Sequence, residues 1–302
     1  MLSAATNHRL LQALPPAWRK RVRYGVWFFR ISRWSNLVLL SAALYLAALF
    51  LLEPEAALLS RLFSWRLLVA VTATACITAG GYIINDYFDV QIDRINRPGA
   101  VIVGQKVHRR KALLLHGLLT AAGVLLGLLA SPKVGALQVL AAGSLYLYSA
   151  VLKRSPGWGN ALVAMLTSAG LLVPWLLFGQ AKPMLWVYLI FCFLISLIRE
   201  VVKDAEDMRG DATFGCRTLP IVYGLPRTRK LVYVLLALFA VAALGLPAYQ
   251  QSLSALYNLV LVFPITFFAL QLRTADTRLQ FRRLSSLAKG MMAIGVLGML
   301  IA

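Results

Sequence analysis

The chain has 302 residues, of which 60% are hydrophobic and only 14% are charged, and its mean hydropathy is +0.74. Ordinary soluble domains carry about 25% charged residues, so this composition excludes a water-soluble globule and indicates an integral membrane protein. The formal net charge of +20 does not predict nucleic-acid binding, because the Lys and Arg residues fall in short clusters between apolar stretches of about 20 residues.

The first 33 residues are basic and contain several Trp and Phe residues. They lack an apolar core followed by a small-residue cleavage site, so we expect a cytoplasmic or interfacial segment and no cleaved signal peptide. Nine apolar runs follow, each long enough to cross about 30 Å of hydrocarbon. We therefore predict an all-α integral membrane protein, a single domain over residues 1–302, with spans at 34–52, 66–88, 112–130, 135–152, 158–179, 184–202, 229–247, 252–272 and 284–302.

The basic residues predict how these spans are oriented. If the chain crosses the membrane nine times, all but four of the 31 Lys and Arg residues lie on the same side of the membrane. The exceptions are Arg61, Arg66, Lys133 and Lys182. Because Lys and Arg favour the cytoplasmic side, we expect a cytoplasmic N-terminus and a C-terminus across a bacterial or archaeal-type cell membrane. Only a short Ser-Pro-Lys turn at 131–133 separates the third and fourth spans, which leaves a merged or re-entrant pair as an alternative.

The acidic residues are few and concentrated. Eight of the eleven lie in two short segments where spans meet the cytoplasmic side: Asp86, Asp89, Asp93, Glu200, Asp204, Glu206, Asp207 and Asp211. Carboxylates at membrane depth are costly and usually functional. The simpler alternative is a pair of solvated loops.

Spacing favours a functional interpretation. Asn and Asp recur every four residues from Asn85 to Asp93, and Asp recurs at three and four residues from Asp204 to Asp211. Each set shares one face if the chain is helical there. Two such faces would repel each other unless a cation lay between them, and oxygen ligands of this kind suit Mg²⁺. Neighbouring Arg and Lys residues would neutralise a diphosphate held by the metal, although a structural or transport-related acidic cluster remains an alternative.

These residues resemble the UbiA superfamily of intramembrane prenyltransferases, whose two motifs are NDxxDxxxD and a later DxxxD. The first corresponds to Asn85–Asp93 and the second to Asp207–Asp211. Further similarities are Arg33 with Asn36, the Tyr-Ser pair at 148–149 followed by Lys-Arg at 153–154, and Arg-Thr-Leu-Pro at 217–220. The resemblance implies a ring of nine helices around a central cavity.

The resemblance also implies a reaction and a set of site residues. A prenyl group would pass from an isoprenyl diphosphate to a lipophilic acceptor, with two Mg²⁺ ions as cofactors. The metal ligands would come from both acidic segments, the six Asp residues being catalytic: Asn85, Asp86, Asp89, Asp93, Asp204, Asp207 and Asp211. Substrate binding would fall to the surrounding polar residues: Arg33, Asn36, Asn85, Arg94, Arg97, Tyr148, Lys153, Lys203 and Arg217.

Within the superfamily the chain is most similar to the geranylgeranylglycerol-phosphate geranylgeranyltransferases, which implies geranylgeranylglyceryl phosphate as acceptor. The stretch after Pro98 reads Gly-Ala-Val-Ile-Val-Gly and departs from the pattern of that branch. Aromatic or porphyrin acceptors therefore stay open, and a secondary transporter that uses the acidic clusters is the alternative from another class. Membrane lipid is an expected partner, and nucleic acid is not.

Overall fold

A computed structural model describes residues 15–53, 58–245 and 254–301. Regular structure in these residues is helical, apart from two isolated bridges, which join Leu52 to Ala181 and Val103 to Val107. Short 3-10 turns cover Leu152–Arg154 and Met299–Ile301. The α-helices are, in chain order, α1 Pro16–Ile31, α2 Trp34–Phe50, α3 Leu58–Leu62, α4 Trp65–Phe88, α5 Val90–Asn96, α6 Arg109–Ala130, α7 Pro132–Ala150, α8 Trp158–Gly170, α9 Leu172–Phe178, α10 Pro183–Thr213, α11 Leu219–Gly245, α12 Ser254–Arg273 and α13 Arg278–Gly298.

Each of the nine predicted apolar runs lies on a helix as far as it is described, the fifth on the pair α8 and α9. Residues 246–253 and 302, at the edges of the last three runs, lie outside the described residues. By length and hydropathy, four segments of the described chain can cross a membrane, namely α4, α6, α8 with α9, and α10. A fifth is added if the bent pair α1 and α2, which meet at 55°, is one span. The count of nine spans therefore stays a prediction.

The predicted interfacial segment at the N-terminus is described only in part. Residues 1–14 lie outside the described residues, and most of the remainder forms α1. The side chains of Trp18, Phe28 and Phe29 on this helix are exposed. Exposed aromatic side chains beside basic residues are typical of a helix at a membrane surface, which stays a prediction for α1.

Two helix boundaries differ from the predicted span boundaries by about ten residues, more than any other. α10 continues to Thr213 instead of ending at residue 202, and α11 begins at Leu219 instead of residue 229, with an interruption at Gly224, whose φ is 77°. The predicted boundaries mark where the sequence stops being apolar, but Glu, Lys, Arg and Met are good helix formers and extend a helix into polar surroundings. With 31 residues, α10 is about 46 Å long, longer than the roughly 30 Å hydrocarbon layer. The second acidic segment therefore lies on a continuous helix.

Close packing holds the helices in place around the site. A Cβ atom on Gly123 of α6 would lie 2.7 Å from Ile77 of α4, so glycine is needed where these helices meet. In the last part of the chain Phe191 of α10, Phe239 of α11 and Phe268 of α12 are buried in one apolar cluster. The final helices are thereby packed onto α10, which carries the second acidic segment.

Candidate active site

The first acidic segment spans a join between two helices at Asp89. α4 ends at Phe88 and α5 begins at Val90, yet the amide of Asp89 donates to the carbonyl of Asn85 at 3.0 Å and the amide of Asp93 donates to the carbonyl of Asp89 at 2.8 Å. The four-residue hydrogen-bond ladder thus continues across the join. Nδ2 of Asn85 also donates to Oδ2 of Asp89 at 2.8 Å, in agreement with the predicted shared face.

The second acidic segment, on α10, is contacted by two other parts of the chain. Nδ2 of Asn160 in α8 donates to Oδ2 of Asp204 at 2.8 Å. Nη2 of Arg97, just after α5, donates to Oδ2 of Asp207 at 2.7 Å. Asp204 is therefore turned toward α8, and Asp207 toward the end of α5.

Lys153 connects the two segments from the turn after α7. Its ammonium pairs with Asp89 of the first segment and interacts electrostatically with Asp211 of the second. Burial disfavours the ammonium, but these carboxylates, Asp89 above all, outweigh burial and raise the pKa of Lys153. Burial likewise opposes the charge on Arg97, and Asp207 is the main group that raises its pKa. Both cations are thus held charged between the acidic segments.

The side chain of Asn96, the last residue of α5, binds the backbone of the second acidic segment, and we call this arrangement the Asn96 clasp. Its Nδ2 donates to the carbonyl of Asp207 at 2.8 Å, and its Oδ1 accepts from the amide of Gly210 at 2.9 Å. Asn96 is only 2% exposed. A Cβ atom on Gly210 would lie 2.6 Å from Nδ2 of Asn96, so only glycine allows the approach. The clasp sets the distance between α5 and α10.

The donor atoms of the segments fit a magnesium site. Within the two acidic segments, three buried side-chain oxygens have no hydrogen-bond partner in the described part of the chain: Oδ1 of Asn85, Oδ1 of Asp207 and Oδ1 of Asp211. Oxygen atoms of this kind are the ligands that Mg²⁺ prefers. Among the described residues no three Asp, Glu, His or Cys side chains converge closely enough to hold a metal by themselves. Because Mg²⁺ takes only one or two carboxylates when phosphate oxygens and water complete its shell, the residues fit a phosphate-bridged ion.

A central cavity of about 280 Å³ adjoins the acidic segments. The polar end of this cavity is lined by side chains that include Arg33, Asn36, Asn85, Tyr148, Lys203 and Lys289. The remaining wall is mostly aliphatic and aromatic, and α2, α4, α7, α8, α10 and α13 contribute to it. A cavity of this kind suits an amphiphile with an anionic head and an apolar chain.

A series of side-chain contacts leads from α13 to the first acidic segment. Nζ of Lys289 donates to Oδ1 of Asn36 at 2.5 Å, and Nδ2 of Asn36 donates to the Tyr82 hydroxyl at 3.2 Å. The Arg33 guanidinium lies 4.6 Å from the centroid of the Tyr82 ring and pairs with Asp86 at 2.9 Å. Arg33 adopts a left-handed conformation with a φ of 52° between α1 and α2, a strained geometry that aims its side chain at the site.

The structure brings most predicted site residues together around the polar end of the cavity: Arg33, Asn36, Asn85, Asp86, Asp89, Asp93, Arg97, Tyr148, Lys153, Lys203, Asp204, Asp207 and Asp211. Arg94 instead is exposed and contacts Gln91 at 3.5 Å. Arg217 is also exposed, and its backbone amide donates to the carbonyl of Arg154 at 2.9 Å. The roles of all these residues stay predictions, and the exposure of Arg94 and Arg217 argues against a contact of these two side chains with the cavity.

Sequence reasoning missed several polar residues that contact the site, among them Asn96, Asn160 and Lys289. Asn96 directly precedes Arg97 and Pro98 in the first motif region, which was a usable signal. Asn160 and Lys289 stand in apolar helices without a motif, so their partners appear only in three dimensions. Lys289 lies on α13, which belongs to the last of the nine predicted spans.

The fold and the site together define a class of protein. It is an all-helical membrane protein with two acidic segments at the polar end of an apolar cavity. Residues 42–290 match the UbiA prenyltransferase family. This chain therefore belongs to the UbiA prenyltransferase family.

Individual relatives and solved structures are similar to this chain. Digeranylgeranylglyceryl phosphate synthase of Metallosphaera sedula is 32% identical over 234 residues, covering 76% of this chain and 81% of the relative. The enzyme of the same name from Methanopyrus kandleri is 38% identical over 156 residues, covering 52% of this chain and only 57% of the relative. A solved digeranylgeranylglyceryl phosphate synthase matches with a TM-score of 0.66 at 24% identity, over 91% of this chain and 96% of that one. A UbiA homologue from Archaeoglobus fulgidus, bound to DMAPP and Mg²⁺, has a TM-score of 0.64 at 17% identity, over 91% and 99% of the two chains.

Proposed function

We propose that this protein is a Mg²⁺-dependent intramembrane prenyltransferase that moves a prenyl group from an isoprenyl diphosphate to geranylgeranylglyceryl phosphate. The observation that carries the proposal is the meeting of two acidic segments at the polar end of an otherwise apolar cavity. Carboxylates there would hold a metal-bound diphosphate, while the apolar wall would accept the prenyl chain. The names of the relatives support the choice of acceptor.

The proposal includes a membrane topology. We propose nine spans in a bacterial or archaeal-type cell membrane, with a cytoplasmic N-terminus and with the acidic segments at the cytoplasmic side. The support is the concentration of Lys and Arg on one side of the nine apolar runs. Both substrates would then be supplied from the cytoplasm, and the prenyl chains would lie at membrane depth.

The proposed metal ligands for two Mg²⁺ ions come from both segments: Asn85, Asp86, Asp89, Asp93, Asp204, Asp207 and Asp211. Mg²⁺, when bound, would neutralise the donor diphosphate and make it a better leaving group. Arg97 and Lys203 would add positive charge beside the phosphates, and Lys153 would hold Asp89 in place. The faces of Tyr82 and Tyr148 at the cavity wall would stabilise positive charge that develops on the prenyl carbon. The apolar wall would exclude water from that carbon.

The test is an incubation of purified protein with geranylgeranyl diphosphate, Mg²⁺ and geranylgeranylglyceryl phosphate, with a parallel reaction that offers a naphthoate or benzoate acceptor. Prenylated product and released diphosphate are measured with and without EDTA. We expect product from the glycerol phosphate acceptor and none after EDTA. Product from the aromatic acceptor alone would support prenyl transfer but contradict the proposed acceptor. The absence of metal-dependent diphosphate release with every acceptor would contradict the whole proposal.

A further inference from the structure

Lys289 is a half-buried cation on the cavity wall that the proposed donor site does not use. Its hydrogen bonds go to neutral groups, Oγ of Ser35 at 3.2 Å and Oδ1 of Asn36 at 2.5 Å. No carboxylate of the described chain lies within ion-pair distance of its ammonium. An ammonium beside an apolar cavity is costly without a counter-ion. The position therefore calls for an anionic ligand.

The ammonium also has hydrogen-bonding capacity left for such a ligand. A Lys side chain carries three N–H donors, and Ser35 and Asn36 account for two of them. Arg199, which also lines the cavity, repels the charge of Lys289. An anion bound at Lys289 would relieve this repulsion and accept the third hydrogen bond.

A second anion, distinct from the donor diphosphate, accounts best for this position. Along the contact series, the side chains of Asn36, Tyr82 and Arg33 lie between Lys289 and Asp86 of the first acidic segment. Lys203, by contrast, stands within the second acidic segment on α10 and is placed for the donor. The cavity thus presents cations to two separate anionic groups.

The surface of α13 next to Lys289 is suited to an apolar chain. Met292 and Val296 line the same cavity three and seven residues further along the helix, so they share a face with Lys289. A ligand with its headgroup at Lys289 would lay its chain along Met292 and Val296. This arrangement matches an amphiphilic lipid with an anionic head.

We propose that Lys289 binds the phosphate of the lipid acceptor, in a subsite separate from that of the donor diphosphate. This inference rests on the proposed function and adds the residue that selects a phosphorylated acceptor. Lys289 holds the headgroup beside Asn36, and the contact series through Tyr82 and Arg33 connects this subsite with Asp86 and the donor. The acceptor is thereby anchored next to the reacting carbon of the donor.

The test compares two acceptors, geranylgeranylglyceryl phosphate and its dephosphorylated alcohol, with wild type, Lys289→Gln and Lys289→Arg. We expect Lys289→Gln to raise the KM for the phosphorylated acceptor about tenfold or more, because a charge-assisted hydrogen bond is lost. The KM for the alcohol, the KM for the donor and the Mg²⁺ dependence should not change. Lys289→Arg keeps the charge and should restore much of the affinity. Lys133→Gln, at an exposed lysine outside the cavity lining, is the matched control.

Several outcomes would overturn the inference. They are an unchanged KM for the phosphorylated acceptor in Lys289→Gln, an equal rise for both acceptors, and a rise confined to the donor. If Lys289→Gln does not fold, Lys289→Met, which removes the charge and keeps an unbranched side chain, is compared with wild type on the two acceptors under the same expectations. A wild-type protein that releases no diphosphate with any acceptor contradicts the proposed function, whereas wild-type transfer with an unaffected variant contradicts only the role of Lys289.

Discussion

The two acidic segments reach the same end of the cavity in different ways. The first crosses a helix join at Asp89 and depends on side-chain partners, namely Asn85 and Lys153. The second lies within the uninterrupted helix α10, and the Asn96 clasp holds its backbone at Gly210. A segment at a helix join is therefore sensitive to the loss of its polar partners, while a segment inside a helix is sensitive to how closely its neighbour approaches.

The largest expected effect tests whether both segments serve one site. Asp89→Asn and Asp207→Asn should each lower the rate of diphosphate release about 10³-fold, because each removes a charge that holds the metal-bound leaving group. The rate is measured at saturating Mg²⁺, and size-exclusion chromatography and thermal melting check the fold. Asp276→Asn is the control, since the Asp276 side chain is 71% exposed and pairs with Arg229 away from the cavity. Retained activity in both site variants would contradict the metal assignment.

A smaller loss of activity is expected for a substitution that shifts only the backbone of the second acidic segment. Gly210→Ala forces a Cβ atom against Asn96, and overpacking of this kind costs about 1–3 kcal/mol. We expect a lower melting temperature and a higher Mg²⁺ concentration at half-maximal activity, because the distance between the segments changes. Gly117→Ala is the matched control, as nothing lies within 4 Å of a Cβ atom there.

The double variant Asn96→Ala with Gly210→Ala sharpens this prediction. Removal of the Asn96 side chain makes room for the new Cβ atom but also abolishes the clasp. The combined loss should therefore be smaller than the sum of the two single losses, as expected for residues in direct contact. Strict additivity of the two melting shifts would show that the clasp does not couple the segments.

A more moderate effect is expected at the link between the segments. Arg97→Ala removes the pair with Asp207 and should raise the KM for the isoprenyl diphosphate about tenfold, with a smaller effect on melting temperature. The measurement is a titration of donor at saturating acceptor and Mg²⁺. An unchanged donor KM would assign Arg97 to membrane orientation instead of substrate binding.

The smallest expected effect concerns the outer surface of α5. Arg94→Gln should change the donor KM less than about twofold, because Arg94 is exposed and its contact with Gln91 is long at 3.5 Å. Initial rates over a range of donor concentrations provide the measurement. A change as large as that expected for Arg97→Ala would place Arg94 in the site after all.

Prediction from sequence succeeded where the physical cause is local. The spacing from Asn85 to Asp93 indicated a shared face, and the hydrogen bonds across Asp89 keep that face intact. The predicted span of 184–202 is shorter than α10, which continues to Thr213, because the loss of apolar residues marks the edge of the hydrocarbon layer and does not mark the end of a helix. Lys289 was overlooked for a related reason. In the sequence, a single Lys near an apolar run that binds a ligand cannot be distinguished from a Lys that only sets the orientation of the span in the membrane.

The sequence by itself determined the helical membrane class, the two acidic segments and the resemblance to the UbiA family, because hydropathy, helical periodicity and short motifs are properties of neighbouring residues. Only the tertiary structure decided that Asn96 meets Gly210 across 114 positions of sequence and that Lys289 meets Asn36 across 253. Such contacts depend on which helix faces lie together. That choice is made by packing between helices, as at Gly123 and Gly210, and no local pattern encodes it.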